Sequence, residues 1–233
     1  MSHKRQGYRF ENDWGIDVLE DDAKSIAAGV ALPIYQEIKE NNTVLNLDNV
    51  KKYLLRSKKI ALTNCACRTK RKHCDAPVDV CLSLNAAAEN FLAKGYVQTA
   101  GGMRQPVREV TIEQALEAVT RAHEAGLVPM AYIRMDSPEP HDPSFICNCC
   151  SCCCAELGLT LRFGMAPHIL KSLAISANDV SKCMSCGKCV DRCHFGARKM
   201  VDDKMVYNKD LCFGCGLCVS TCPANANKII QLT

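Results

Sequence analysis

Cys183-Met184-Ser185-Cys186-Gly187-Lys188-Cys189 is followed four residues later by Cys193, and this arrangement of cysteines occurs twice near the end of the chain. The second copy reads Cys212-Phe213-Gly214-Cys215-Gly216-Leu217-Cys218, and Cys222 and Pro223 follow it. Each cysteine of the first run has a counterpart 29 residues later, so the two runs form an internal repeat. The spacing within each run limits what these thiols can hold.

This spacing is typical of cubane iron–sulfur clusters. Three thiolates at positions i, i+3 and i+6 can occupy three corners of such a cluster, whereas one tight loop cannot turn back far enough to supply the fourth. We therefore expect each half to supply the fourth ligand of the other. The expected ligands are Cys183, Cys186, Cys189 and Cys222 for one [4Fe–4S] cluster, and Cys212, Cys215, Cys218 and Cys193 for the second. Zinc is the alternative, but zinc sites favour paired Cys-x-x-Cys knuckles separated by a longer stretch.

The repeat resembles the bacterial-type ferredoxins that carry two [4Fe–4S] clusters, over roughly residues 174–231. The resemblance implies a pseudo-twofold α+β fold in which short hairpins flank two short helices, with one-electron transfer as the activity. One departure is Cys193-His194, where that family usually has Cys-Pro. Because proline helps to turn the chain but donates no ligand, the departure does not change the expected ligand sets.

The cysteine content indicates the kind of compartment. The chain has 18 cysteines in 233 residues, and no apolar signal segment follows residues 1–5. Dense cysteine without export favours reduced thiolate ligands over disulfides, so we expect a cytoplasmic protein in an oxygen-poor environment. No stretch approaches the roughly 18 apolar residues that a membrane span needs. The net charge of +4 does not by itself indicate a nucleic-acid partner.

Sequence patterns divide the chain into three parts. Residues 1–20 form a polar N-terminal arm, residues 21–165 form a cysteine-rich domain that we expect to bind clusters, and residues 174–233 form the dicluster domain. We expect the cysteine-rich domain to be mainly helical with a few short strands, which makes the whole chain α+β. Apolar residues at intervals of four predict a helix over residues 21–40.

Local signals predict further elements of the cysteine-rich domain. Thr111 and Gln114 have the spacing of a capping box at the start of a helix, Gly95 is a suitable helix C-terminus, and Gly101-Gly102 suits a hairpin. The predicted helices cover residues 49–58, 83–94 and 112–125, and the predicted strands cover residues 60–62 and 127–133.

Ten more cysteines fall into two groups along the chain, four at residues 65–81 and six at residues 147–154. We expect the fold to bring the two groups together around one or more additional iron–sulfur clusters. The candidate ligands are Cys65, Cys67, Cys74, Cys81, Cys147, Cys149, Cys150 and Cys153. The four at residues 65–81 form the most self-contained set, although they can equally be divided between sites. Buried structural cysteines, with zinc at one site, are the alternative.

The run at residues 147–154 contains six cysteines in eight residues. If this run is helical, it carries thiols on two opposite stripes. The stripes are Cys147, Cys150 and Cys154 on one side, and Cys149, Cys152 and Cys153 on the other. A helix of this kind can stand between two metal centres, or give one face to a cluster and pack the other against the core.

Several motifs between residues 60 and 160 are similar to those of a largely uncharacterised group of [4Fe–4S] binding proteins. They are Cys65-Ala66-Cys67-Arg68, Gly126-Leu127-Val128 and residues 148–154, ahead of a ferredoxin repeat. The resemblance implies cluster binding and redox work, and it names no substrate.

Two functions agree with these features. The first is an electron-transfer protein or redox subunit that passes single electrons between the dicluster domain and an N-terminal cluster. The second is a reductase whose N-terminal site holds a catalytic cluster fed by the dicluster domain. Because no acid–base constellation is recognisable, we expect an electron carrier rather than a stand-alone oxidoreductase. A metallochaperone with exchangeable metal is a third possibility.

The basic stretch at Arg68, Lys70, Arg71 and Lys72 bears on the partner. These charges either form a solvated loop, or stabilise anionic clusters and steer an acidic redox protein. No aromatic residues interleave with them, and no glycine-rich nucleotide-binding motif is present, so we expect neither nucleic acid nor a nucleotide cofactor.

Overall fold

The computed structural model describes residues 28–30, 47–98, 103–133, 143–155, 157, 161 and 174–231. Within these residues the chain contains both helices and strands, as the predicted α+β class requires. The segment before residue 134, together with residues 143–149, builds a seven-stranded sheet, and residues 174–231 build two two-stranded sheets. The predicted arm at residues 1–20 lies outside the described residues.

The strands of the seven-stranded sheet are β1 (Ala28–Val30), β2 (Ile60–Thr63), β3 (Cys81–Leu84), β4 (Tyr96–Gln98), β5 (Arg104–Glu109), β6 (Val128–Ile133) and β7 (Phe145–Cys149). The sheet is antiparallel throughout and has the order β1-β6-β7-β3-β2-β5-β4. We expected a mainly helical domain with a few short strands, which the described residues do not confirm, because seven strands form one sheet. The strands are short and pair with segments distant in the chain, and local periodicity does not reveal such pairing.

The helices that accompany this sheet mostly follow the sequence signals. They are α1 (Leu47–Arg56), α2 (Ala66–Arg71), α3 (Asn85–Lys94) and α4 (Ile112–Glu124). The predicted helices over residues 49–58, 83–94 and 112–125 are thereby confirmed, and so are the strands over residues 60–62 and 127–133. Gly95 ends α3 with a left-handed φ of 75°. Among the residues described, no helix combines the length and the apolar character that crossing a bilayer requires.

Strands occur in one segment predicted to be helical and in another for which a helix was considered. Part of residues 21–40 forms β1, whose residues pair with β6 at the edge of the sheet. Residues 145–149 form β7, which lies between β3 and β6, and a turn follows at residues 151–153. Two neighbouring strands supply the backbone partners of β7, and this tertiary pairing outweighs the local pattern of the cysteine run. The turn that joins β4 to β5 lies outside the described residues, although the two strands form the expected hairpin.

The two faces of the sheet differ in chemistry. Leu82 pairs with Ile146, and both are fully buried in a core that also contains Leu54 of α1 and Val119 of α4. Because successive side chains of a strand point to opposite faces, the residues on either side of Ile146 and Leu82 point away from this core. The opposite face therefore carries the cysteines of β3 and β7.

The C-terminal part has two similar halves. Its elements are β8 (Ala174–Asn178), α5 (Lys188–Asp191), β9 (Arg198–Val201), β10 (Lys204–Tyr207), α6 (Leu217–Ser220) and β11 (Asn227–Gln231). Strand β8 pairs with β11 and β9 pairs with β10, both antiparallel. Gly187 and Gly216 precede the two short helices with φ values of 74° and 78°, a conformation that glycine adopts without a steric penalty.

Replacing Thr111 tests the local signal that starts α4. The Thr111 hydroxyl accepts a hydrogen bond from the Gln114 amide at 3.3 Å, and the Gln114 side chain accepts one from the Thr111 amide at 3.1 Å. We expect Thr111→Ala to lower the free energy of unfolding by about 1 kcal/mol, because the Gln114 amide loses its hydrogen-bond acceptor. Denaturant unfolding followed by circular dichroism measures this, with Thr120→Ala on the exposed side of the same helix as the control. An equal loss in both variants would contradict the capping role.

Candidate metal centres

The first C-terminal set of cysteines lines one cavity. Its walls include the four expected ligands Cys183, Cys186, Cys189 and Cys222. Cys186 is exposed whereas Cys189 is buried, so the cavity opens to the surface on the side of Cys186. The Ala226 amide donates a hydrogen bond to Cys222 Sγ at 3.2 Å. Three thiols from one half and one from the other thus meet at one place.

The second C-terminal set gathers around Cys215. Burial raises the pKa of the Cys215 thiol, and the nearby thiols of Cys218, Cys193 and Cys212 raise it further. Ser176 supports the set, because its amide donates to Cys212 Sγ at 3.5 Å and its hydroxyl accepts from Cys218 Sγ at 3.3 Å. Buried thiols that oppose each other's ionisation become good ligands once a cation is bound among them.

Arg198 lies between these two sets. Its side chain is 2% exposed, it donates to Ser176 Oγ at 2.5 Å, and its guanidinium lies 4.4 Å from the centre of the Tyr207 ring. Burial opposes the charge of Arg198, but the thiols of Cys218 and Cys189 raise its pKa. One cysteine belongs to each set, so a single buried cation faces both.

The ten N-terminal cysteines form two groups in space. The first, which we term the four-thiol site, consists of Cys74, Cys150, Cys152 and Cys153, whose Sγ atoms all lie within 4.8 Å of one another. The pairs Cys74–Cys150, Cys74–Cys153 and Cys152–Cys153 are each 3.9 Å apart. All four side chains are buried.

The four-thiol site is built by a tight turn and one distant residue. Strand β7 ends at Cys149, and the turn that follows is closed by a 3.1 Å hydrogen bond from the Cys154 amide to the Cys150 carbonyl. Cys74 reaches the turn from the segment after α2. Hydrogen bonds from Cys152 and Cys153 lower the pKa of the Cys150 thiol. The same contacts raise the pKa of the Cys152 and Cys153 thiols, so negative charge is concentrated on Cys150.

The second N-terminal group, the six-thiol group, consists of Cys65, Cys67, Cys81, Cys147, Cys149 and Cys154. Neighbouring thiols in this group shift each other's pKa, and these interactions join Cys65 to Cys81, Cys81 to Cys147, Cys147 to Cys149, Cys149 to Cys154, and Cys154 to Cys67. The sheet explains the middle of this series. Because Leu82 pairs with Ile146, their neighbours Cys81 and Cys147 lie side by side on the opposite face, and Cys149 follows on that face two residues later.

Arg68 lies between the two N-terminal groups and is 1% exposed. It donates to the carbonyls of Pro77 and Asn148 at 2.7 and 2.8 Å, and its Nη2 lies 3.8 Å from Cys150 Sγ. Burial opposes the charge of Arg68, but thiols of both groups raise its pKa, Cys65 and Cys150 most strongly. Among the described residues, its buried Nε has no hydrogen-bond partner.

The spatial groups differ from those suggested by order in the chain. The structure does not keep the cysteines of residues 65–81 together, because Cys74 joins the four-thiol site while the other three join the six-thiol group. Cys152 and Cys154 were not among the candidate ligands, yet each lies in a group. Two features of the sequence indicate how the run divides between the two groups. They are the alternation of side chains along a strand up to Cys149 and the Cys-x-x-Cys spacing of Cys150 and Cys153 that follows it.

The C-terminal part packs against the cysteine face of the sheet. Cys193 and Cys215 lie in the same apolar cluster as Cys147, Cys149 and Cys154. The rings of Phe195 and Phe213 belong to this cluster and stack with centroids 4.2 Å apart. Thiols of the second C-terminal set and of the six-thiol group are therefore embedded in one continuous apolar region.

His194 explains the departure from Cys-Pro. Its Nε2 donates to the Gly126 carbonyl at 2.7 Å, and its Nδ1 accepts from the Ser151 amide at 3.3 Å and lies 3.0 Å from the Ser151 hydroxyl. Arg192 adds hydrogen bonds to the carbonyls of His123 and Glu124 at the end of α4. The residue after Cys193 thus binds the turn of the four-thiol site, a contact that proline has no donor to make.

Comparison with known proteins supports the C-terminal assignment. A family model described as a 4Fe-4S dicluster domain matches residues 182–226. No curated protein matches the chain in sequence, and the resemblance of the N-terminal part to an uncharacterised group has no support from these comparisons. The dicluster match and the clustered thiols together indicate an iron–sulfur protein of the electron-transfer type.

Proposed function

We propose that the protein passes single electrons between the C-terminal dicluster domain and an N-terminal [4Fe–4S] cluster held by the six-thiol group. The observation that carries this proposal is the shared apolar cluster in which Cys193 and Cys215 lie beside Cys147 and Cys149. When bound, a [4Fe–4S] cluster gains or loses one electron without needing a substrate pocket. The chain's own contribution is to hold these thiols close together and away from water.

The six-thiol group suits a cluster better than a single ion. Within the described residues, the four-thiol site is the one group of three or more His, Cys, Asp or Glu side chains whose ligand atoms all lie within 4.8 Å of one another. The C-terminal sets, which match the dicluster family, have wider spacing, and so does the six-thiol group. Four of its six thiols are sufficient for a cubane cluster. Arg68 supplies positive charge at its edge, next to Cys65 and Cys81.

Electrons exchange with the outside at the first C-terminal set. Met184, which is 64% exposed, lies between Cys183 and the exposed Cys186. Lys182 and Lys188 flank it and are exposed. An apolar contact flanked by positive charge fits an acidic redox protein, which donates or accepts the single electron that the chain transfers. The order of centres is then the exposed set, the set around Cys215, and the six-thiol group.

Iron and sulfide content tests the N-terminal cluster. We expect oxygen-free protein to contain about twelve irons and twelve sulfides per chain, because eight belong to the dicluster domain and four to the six-thiol group. The combined variant Cys65→Ser, Cys147→Ser and Cys149→Ser leaves three thiols in that group, which is too few for a cubane. It is expected to contain about eight irons.

Met130→Leu is the matched control, because Met130 is buried on the same face but has no thiol. We expect this variant to keep the full iron content, with the dicluster signals in electron paramagnetic resonance (EPR) serving as the check on folding. Equal iron in the wild type and the triple variant would show that the six-thiol group holds no cluster.

A reductive titration tests the electron capacity. Each [4Fe–4S] cluster takes one electron, so a low-potential reductant is expected to deliver about three electrons per wild-type chain and about two to the triple serine variant. EPR of the fully reduced wild type is expected to show magnetic coupling between neighbouring clusters, and the triple variant loses the part due to the N-terminal one. Uptake of three electrons without magnetic coupling between the N-terminal cluster and its neighbours would contradict electron transfer through that cluster.

A further inference from the structure

The spacing of the four-thiol site differs from that of the other sulfur sites. Three of its sulfur pairs are 3.9 Å apart, and no pair exceeds 4.8 Å. Four thiolates bound tetrahedrally to one zinc ion, with Zn–S bonds of about 2.3 Å, lie about 3.8 Å from one another. In a four-iron cluster each thiolate binds a different corner of the cube, so the sulfurs lie farther apart.

The C-terminal sets provide an internal comparison. All eight of their cysteines are described, and they match a [4Fe–4S] dicluster family. In neither C-terminal set do three or more Sγ atoms all lie within 4.8 Å of one another, as they do at the four-thiol site. The same structure therefore contains sites of two sizes, and the smaller one has room for an ion rather than for a cube.

We propose that the four-thiol site binds one tetrahedral zinc ion. Its four ligands are buried and all come from the chain, which is the arrangement of closed structural zinc sites rather than catalytic ones with an open position. Thiolates at this spacing bind zinc more tightly than ferrous iron, in keeping with the Irving–Williams order. Cys150 and Cys153 have the Cys-x-x-Cys spacing of a zinc knuckle, with Cys152 inside it and Cys74 opposite.

Arg68 is the second observation that points to a bound metal. Four thiolates around a divalent cation carry a net charge of about −2, and a fully buried guanidinium lies 3.8 Å from Cys150 Sγ. Arg71 donates to the Cys153 carbonyl at 3.1 Å, and His73 Nδ1 lies 2.9 Å from the Cys152 carbonyl. Burying the Arg68 guanidinium beside neutral thiols is unfavourable because the charge loses its hydration, whereas an anionic metal site offsets that cost.

The ion has a structural role at the junction of the two parts. It links the segment after α2, which supplies Cys74, to the turn that supplies the other three ligands. Ser151 in that turn binds His194, and Cys149 and Cys154 at its two ends belong to the six-thiol group. A zinc ion here fixes both the docking site of the C-terminal part and two thiols of the neighbouring group.

Metal analysis of the full chain, purified without oxygen, tests the zinc site. We expect about one zinc per chain in addition to the irons, and we expect both Cys74→Ser and Cys153→Ser to lose it. Cys154→Ser is the matched control, since its thiol lies in the same turn but belongs to the six-thiol group, and it is expected to keep the zinc. Replacement by cobalt is expected to give the visible absorption of a tetrahedral tetrathiolate site.

Other metal contents would overturn the proposal. Absence of zinc, with about four irons and four sulfides lost in Cys153→Ser, would show that the site holds a cubane. If the site contained one iron ion without sulfide in place of zinc, the identity of the proposed ion would be wrong. The proposal does not depend on electron transfer, because the triple serine variant of the six-thiol group reports on that function while its zinc content reports on this site.

Arg68 provides a test that leaves every thiol in place. We expect Arg68→Gln to lower the affinity of the site for zinc by about 10- to 100-fold, because the buried countercharge is lost. Arg68→Lys keeps the charge and is expected to recover part of the affinity. Competition with a chromophoric chelator measures both, and Lys70→Gln on the exposed side of α2 is the control. Unchanged affinity in Arg68→Gln would remove the electrostatic support for the site.

Discussion

Attraction between buried guanidinium groups and sulfur governs the organisation of this protein. Among the residues that the structure describes, Arg68 and Arg198 are the largest side chains that are fully buried, and each lies between two sets of thiols. Thiols held close together in an apolar interior resist ionisation, so each set needs positive charge from a metal and from its surroundings. Placing one arginine between two sets gives both sets part of that charge. The N-terminal and C-terminal parts have different folds, yet they use this same arrangement.

The seven-stranded sheet separates two kinds of interior. One face packs Leu82 and Ile146 against helices and supplies an ordinary apolar core. The other face carries Cys81 and Cys147 and is covered by the C-terminal part. Alternation along β3 and β7 is what allows a single pair of strands to serve both purposes. The apolar core and the buried thiols therefore lie on opposite faces of the same strands, and a shift of register by one residue would exchange them.

The elements with local signals were predictable, and the cysteine run was not. Thr111 with Gln114 predicted the start of α4, and Gly95 predicted the end of α3, because helix capping depends on a few adjacent residues. Residues 147–154 gave no clear period, and the structure has a strand followed by a turn in place of the helix considered for this run. The run contributes thiols to two groups in space, and this division follows strand and turn geometry rather than helical stripes. Its pairing with β3 and β6 depends on residues far away in the chain.

The sequence by itself determined the chemistry of the C-terminal part, because the i, i+3, i+6 spacing and the repeat of 29 residues are properties of the chain alone. It also determined that ten more thiols had to be accommodated. Only the tertiary structure decided how these ten divide, since Cys74 and Cys150 are distant in sequence and meet through the packing of the sheet. The same is true of His194, whose role depends on a turn more than 40 residues earlier. Ligand spacing within a loop is a local property, whereas contact between loops requires the whole fold.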